Sequence, residues 1–150
     1  AGERVLSHRE FFTGYLTTAL AATELLTEVR FPIQPAQTGA AFVEVARRHG
    51  DFALVGVAAV IRRADGIIAE ARLAFTGVGA GPVRPPEAEE MLRGRETSAK
   101  LFTDAARAAS ARLDPSSDIH ATAEYRREVA VVLARRALEL AWVRSGGRTR

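Results

Sequence analysis

Apolar positions recur with a period of two through the first half of this chain and with a helical period through its last third. Along "ELLTEVRFP", Leu25, Thr27, Val29 and Phe31 share one parity while Leu26, Glu28 and Arg30 share the other. That alternation predicts a half-buried strand ended by Pro32. "IQPAQTG" is loop by composition. A second strand is predicted over "AAFVEVARR", where Ala40, Phe42, Glu44 and Ala46 alternate with Ala41, Val43, Val45 and Arg47. "ALVGVAAVIRR" is a third apolar run and "IIAEARLAFTGVG" a fourth, joined through Ala64, Asp65 and Gly66. Asp-Gly between two apolar runs marks a hairpin, because both residues tolerate the positive φ such turns need.

The second half changes period. "PPEAEEML" predicts a helix with proline and carboxylates in its first turn, stopped by Gly94. "ETSAKLFTDAARAASARL" reads as an alanine-rich amphipathic helix. "AEYRREVAVVLARRALELAWVR" is the longest helix, capped by Thr122 and stopped at Gly146-Gly147, with Tyr125, Val129, Val132, Leu133, Ala137 and Leu140 at helical spacing. Ahead of all this, "SHREFF" predicts a helical turn with Ser7 and Glu10 as a capping box, and "LTTALAAT" an extended or irregular connection. Strands followed by three helices predict an α+β fold: an antiparallel sheet of three to four strands with three helices packed on one face, not a βαβ unit.

With 150 residues and 47% apolar content, the chain supports one compact core. No cysteine is present, which excludes disulfides, iron–sulfur ligation and thiolate catalysis within this chain and suits a cytoplasmic setting. The histidines His8, His49 and His120 lie far apart, so no metal set is predicted. The net charge of +3 comes almost wholly from arginines, which stand near acids and form no basic stripe. Neither nucleic-acid binding nor a membrane span is predicted. The chain starts at Ala1, which reads as processing, trimming or a piece of a longer polypeptide.

Three constellations invite chemistry. "GVGAG", Gly77 to Gly81, follows a predicted strand, but Pro82 to Pro86 comes next where a phosphate loop needs a helix N-terminus. "ARRHGD" holds His49 and Asp51 two apart, as an oriented base would be, yet without a nucleophile beside them. On the last helix, Arg126 and Arg136 lack an obvious in-helix partner and are free to dock elsewhere, and Trp142 reads as core or interface filler. No catalytic residue is assigned. The residues alone leave an α+β protein-interaction or dimerisation module as one reading and a partner-dependent domain as another.

In their order and spacing, "REFFTGYLTTAL" leading into "ELLTEVRFP", then "AFVEVARRHGDFALVGVAAVI", "ARLAFTGVGAGPVRPPEAEEMLRG" and "AEYRREVAVVLARRAL" are similar to one family. The chain resembles the C-terminal domain of the FAD-binding medium subunit of molybdenum hydroxylases, the carbon monoxide dehydrogenase flavoprotein and xanthine dehydrogenase group. The resemblance implies that residues 1–23 end a preceding FAD-binding domain and its linker, that 24–145 form the flavoprotein C-terminal domain, and that 146–150 are a tail. It implies FAD shared with that preceding domain, which this chain lacks. The implied partners are an iron–sulfur small subunit and a molybdopterin large subunit, with electrons leaving the flavin for an external acceptor. Carried over by position, Leu26 matches a flavin-contacting residue of the xanthine dehydrogenase branch. A flavin-contacting lysine of that branch falls at Val43 or Glu44, neither of which is lysine, so the chain departs there. The stretch Arg47, Arg48, His49, Gly50 and Asp51 matches a loop bordering the flavin. Arginines there would favour an anionic reduced flavin and Asp51 would oppose it.

Overall fold

The computed structural model describes residues 2–14 and 16–148. The chain packs as two compact units, Ala1–Ile33 and Gln34–Arg150.

In the first unit, α1 (His8–Phe11) is followed by β1 (Phe12–Gly14) and β2 (Thr17–Thr18), paired antiparallel. The expected capping box forms: the Glu10 carboxylate accepts from the Ser7 amide at 2.9 Å and from its hydroxyl at 2.8 Å. Arg4 ties the lead-in down, donating to the Ala19 carbonyl at 2.7 Å and to Glu24 at 2.6 Å. The strand expected from Glu24 to Phe31 does not form, and among the described residues nothing pairs with this stretch. Its apolar parity stays exposed, Leu25 at 82% and Phe31 at 85%. Alternation specifies two faces, but a strand also needs a neighbour's amides and carbonyls, and here none is in reach.

The second unit is built on β3 (Thr38–Val45), β4 (Val55–Ala64) and β5 (Ile67–Thr76), antiparallel in the order β3-β4-β5. The predicted hairpin joins the last two, with Asp65 at φ 51° and Gly66 at φ 80°. Register places Ala41 opposite Ala59 and Ala59 opposite Leu73; Val43, Val57 and Phe75 form a second row on the same face. That face is the core side. A bulge beside the hairpin, where pairing steps from Arg62↔Glu70 to Arg63↔Ile68, takes up Ala69 as an extra residue. The bulge therefore lets Ile68 and Ala71 both reach the core despite their odd spacing.

The remaining elements are α2 (Pro86–Leu92), α3 (Ala99–Ser110) and α4 (Ala123–Arg144). Helix α4 lies across β3 and β4, α2 against β5, and α3 against both helices. This is the expected α+β arrangement, with a three-stranded main sheet. Ser98 caps α3 by accepting from the Leu101 amide, and Thr122 caps α4 by accepting from Tyr125. The buried stripe of α4 overlaps the expected one at Leu133 and Ala137, with Val129 packed against the core, and departs from it elsewhere. Ala130, Leu133, Ala134, Ala137, Leu138, Ala141 and Trp142 are inside, while Tyr125, Val132 and Leu140 are exposed. Alanine decides the face because it permits close approach to the sheet. At Gly39 of β3, a Cβ would stand 2.0 Å from the Ala141 carbonyl oxygen and 2.4 Å from the Ser145 amide nitrogen.

The outer edge of β5 is covered in pieces. Phe75 and Val83 exchange amide–carbonyl bonds of 2.8 and 2.9 Å, the Leu73 amide donates to the buried Glu89 carboxylate at 2.9 Å, and Ile68 bonds to Gly94 and Arg95. The glycines after Thr76 thus turn the chain back onto its own strand, a structural use for "GVGAG".

Trp142 is buried, and its indole N–H donates to the Arg148 carbonyl at 3.0 Å. Trp142→Ala is expected to lower unfolding free energy by about 3–5 kcal/mol in urea titration, and a loss under about 1 kcal/mol would contradict its burial. Gly39→Ala, which must push α4 off β3, is expected to cost about 1–3 kcal/mol in the same measurement.

Candidate functional site

The expected site loop leaves the sheet at Val45 and returns where the Leu54 amide donates to the Val45 carbonyl at 2.8 Å. Within it, the Asp51 amide donates to the Arg48 carbonyl at 3.2 Å, and Gly50 takes φ 90°, which only glycine adopts freely. Arg47, Arg48, His49, Gly50 and Asp51 are all exposed, and Phe52 is wholly so at 100%. An exposed run of this kind is what a turn between two core strands requires. Its two anchors make it more than that.

The first anchor is a 2.6 Å contact between the Arg47 guanidinium and Nδ1 of His120. A guanidinium only donates, so His120 accepts there and carries its proton on Nε2. The second is Arg126, on the first turn of α4. Its side chain is only 7% exposed. One terminal nitrogen donates to the Leu54 carbonyl at 2.5 Å and to the Gly77 carbonyl at 3.1 Å. The other donates to Asp118 at 2.7 Å. Asp118 in turn accepts the amides of His120 at 2.8 Å and Ala121 at 2.9 Å. One guanidinium thereby joins the β3–β4 loop, the end of β5 and the α3–α4 connection. Gly77 makes the junction possible: a Cβ at its φ of 77° would lie 2.3 Å from the Leu54 carbonyl oxygen.

The same contacts set the electrostatics. The Asp118 carboxyl is held below its ordinary value of 3.8, chiefly by the His120 amide, then by the Ala121 amide, with Arg126 adding to both. Among the described residues no group of three potential ligands could hold a metal ion. His49 and Asp51 both sit in the exposed turn.

Val43 and Glu44 point opposite ways. Val43 packs against the core, whereas Glu44 is exposed on the open face beside Phe42, itself 57% exposed. Leu26 lies in the first unit, outside any strand and 49% exposed. The exposed side chains at this end of the sheet are chemically compatible with one wall of a flavin dinucleotide site. Arg47 and Arg48 supply guanidinium donors, and Phe52 supplies an unencumbered aromatic face. They supply a surface and no enclosure. Sequence reasoning missed Asp118 and His120. The signal was there in "DIHATAE", since aspartate just ahead of a helix cap commonly accepts nearby amides. Arg126, flagged for lacking an in-helix partner, does dock elsewhere, whereas Arg136 stays exposed.

A family model described as the CO dehydrogenase flavoprotein C-terminal domain matches residues 40–141. The caffeine dehydrogenase subunit beta of Pseudomonas sp. strain CBB1 is 42% identical over 137 residues, covering 91% of this chain and 46% of that protein. The nicotine 6-hydroxylase medium subunit of Paenarthrobacter nicotinovorans is 38% identical over 148 residues, covering 99% and 50%. Among solved structures, reconstituted CO dehydrogenase from Oligotropha carboxidovorans superposes with a TM-score of 0.87 at 33% identity, over 94% of this chain and 49% of that one. The chain spans about half the length of these relatives.

Arg126→Met, which keeps the bulk and removes the donors, is expected to cost about 1.5–3 kcal/mol in urea unfolding. Because folding depresses the Asp118 value, its contribution to stability is complete above the ordinary aspartate range and is lost as pH falls through the folded value. Asp118→Asn should therefore flatten the acid limb of the stability–pH curve, compared by chemical unfolding at neutral pH and below the aspartate range; an unchanged acid limb would contradict the assignment.

Proposed function

Because this chain belongs to the CO dehydrogenase flavoprotein C-terminal domain family, we propose that it is the C-terminal part of the FAD-containing medium subunit of a molybdenum hydroxylase. In this reading it helps to enclose FAD and to pass electrons from iron–sulfur clusters to an external acceptor. The observation that carries it is the family match over residues 40–141, which includes the whole Arg47–Asp51 loop and all but the last three residues of the helix holding Arg126. Residues 1–23 then end a preceding FAD-binding domain, 24–145 form the second domain, and 146–150 are a tail. The flavin is held mainly by the preceding domain, with Leu26, Val43 and Glu44 as candidate contacts from this chain. An iron–sulfur small subunit and a molybdopterin large subunit are the proposed partners, in the cytoplasm. Two relatives bear medium-subunit or beta-subunit names, which supports a multi-subunit oxidoreductase. No helix among the described residues is long and apolar enough to cross a membrane.

Flavin, when bound, supplies reversible two-electron chemistry. The part played by this chain is electrostatic and steric. Arg47 and Arg48 bring positive charge to the loop, Asp51 brings negative charge, and the Arg47–His120 contact holds the loop in place. Positive charge beside the ring favours the reduced, anionic form.

In the assembled enzyme, Arg47→Ala is expected to lower the flavin midpoint potential and Asp51→Ala to raise it. Each shift should be about 20 mV, which corresponds to roughly 1 kcal/mol of surface electrostatics on a two-electron couple. Spectroelectrochemistry and acceptor kinetics read this out, and the loop has no such role if both variants match the parent. Residues 1–150 alone should bind FAD weakly, since one wall offers few of a site's contacts; submicromolar binding in a fluorescence titration would oppose the shared-site reading.

A further inference from the structure

Near the β4–β5 hairpin, where the outer edge of β5 meets α2, an open recess of about 440 Å³ is lined by Arg62, Glu70 and Arg72 from the non-core face of the sheet and by Arg84, Glu89 and Arg93. We propose that this recess binds a small, multiply charged oxyanion bearing phosphate or carboxylate groups. The proposal stands apart from the flavin reading, because these residues lie at the opposite end of the strands from the Arg47–Asp51 loop.

Charge is the first argument. Four guanidiniums line the recess against two carboxylates, and those carboxylates are already committed. Glu89, its side chain only 10% exposed, accepts the Leu73 amide at 2.9 Å and two Arg84 nitrogens at 2.9 and 3.1 Å on one oxygen, with Arg84 at 2.8 Å on the other. Its work is to seal the strand and hold Arg84 in one orientation. Glu70 takes two nitrogens of Arg62 on one oxygen, at 2.8 and 3.2 Å. Its second oxygen is 3.7 Å from Arg72, too far for a hydrogen bond. Arg93 spends one terminal nitrogen on Glu90 at 3.1 Å. The Arg72 fork and the remaining Arg93 nitrogens are left to offer.

Convergence is the second argument. The Glu70 carboxyl is held low first by its Arg62 bonds, and the charges of Arg72 and Arg93 add to the effect. Three guanidiniums therefore act on one point from β4, β5 and the end of α2. Paired surface arginines usually form a solvated mesh worth little. Here Glu89 fixes Arg84 and Glu70 fixes Arg62, which lowers the ordering cost for those two, while Arg72 and Arg93 stand more than half exposed at the rim. Guanidinium forks match the paired oxygens of carboxylate and phosphate. The recess is open and shallow, with room for an anion bearing more than one charged group.

The test is calorimetric titration of inorganic pyrophosphate, and separately of citrate, into the full-length protein. Saturable one-to-one binding that weakens with added sodium chloride is expected. Arg72→Ala combined with Arg93→Ala should weaken it at least about tenfold with the melting transition unchanged. Arg72→Lys should lose less, since it keeps the charge without the fork, and Glu70→Gln should tighten binding by removing the internal competitor. A preference for pyrophosphate assigns a phosphate ligand, and a preference for citrate a carboxylate one. Absence of saturable binding to either anion, parental affinity in the double variant, or unchanged affinity in Glu70→Gln would overturn the proposal. So would indifference to both anions combined with subunit association that weakens with sodium chloride and is lost in Arg72→Glu, which would give the surface to an acidic protein partner.

Discussion

Gly39 is the point at which α4 crosses β3, and the helix backbone there occupies the space a side chain would need. Alanines continue the contact on both sides, Ala41 and Ala59 from the sheet and Ala130, Ala134, Ala137 and Ala141 from the helix, all buried. Small residues matter here for the distance they allow, more than for the area they bury. The seating of the last turns fixes the first turn as well. From Ala141 back to Arg126 is about 22 Å of helix at 1.5 Å per residue. From Gly39 to Val45 is about 20 Å of strand at 3.3 Å per residue. The helix thus delivers Arg126 to the far end of the sheet, where Leu54 and Gly77 present their carbonyls.

That delivery divides the second unit into a rigid frame and a display. Below Arg126, the sheet and helices share one continuous core. Above it, the Arg47–Asp51 turn stands exposed, with Phe52 beside it. The Arg126 Nε is buried without a hydrogen-bond partner among the described residues. The guanidinium is held by its terminal nitrogens alone, so the junction depends on three carbonyl and carboxylate groups arriving together. A loop anchored in this way keeps charged side chains at a set place while their tips remain open to whatever docks against them.

Much of this was legible in the sequence. Period-two alternation located β3, continuous apolar runs located β4 and β5, Asp65-Gly66 located their hairpin, and Thr122 marked the start of α4, because each of these signals is local. Two failures share one physical origin. Leu25, Val29 and Phe31 carry a correct strand pattern, but pattern does not supply a pairing neighbour. On α4 Leu133 and Ala137 are buried as expected and Val129 packs against the core, but Tyr125, Val132 and Leu140 are exposed, since approach distance to the sheet is a property of two elements at once. The Arg126–Asp118 junction and the Arg47–His120 contact, which spans 73 positions, are long-range and leave no spacing to read. Cavity formation by Arg62, Arg72, Arg84 and Arg93 was hidden for the same reason.

Glu89 stands where the next strand of the sheet would begin. Its carboxylate occupies the Leu73 amide, Val83 occupies Phe75, and the Gly94–Arg95 turn occupies Ile68. On the opposite border, Arg144 donates to the Ala40 carbonyl at 2.8 Å. A foreign β-segment arriving at the β5 border meets amides and carbonyls already bonded and a buried negative charge, whereas on the β3 border Arg144 takes the Ala40 carbonyl. Runs as apolar as Val55–Ile61 would otherwise be a seed for fibrous stacking.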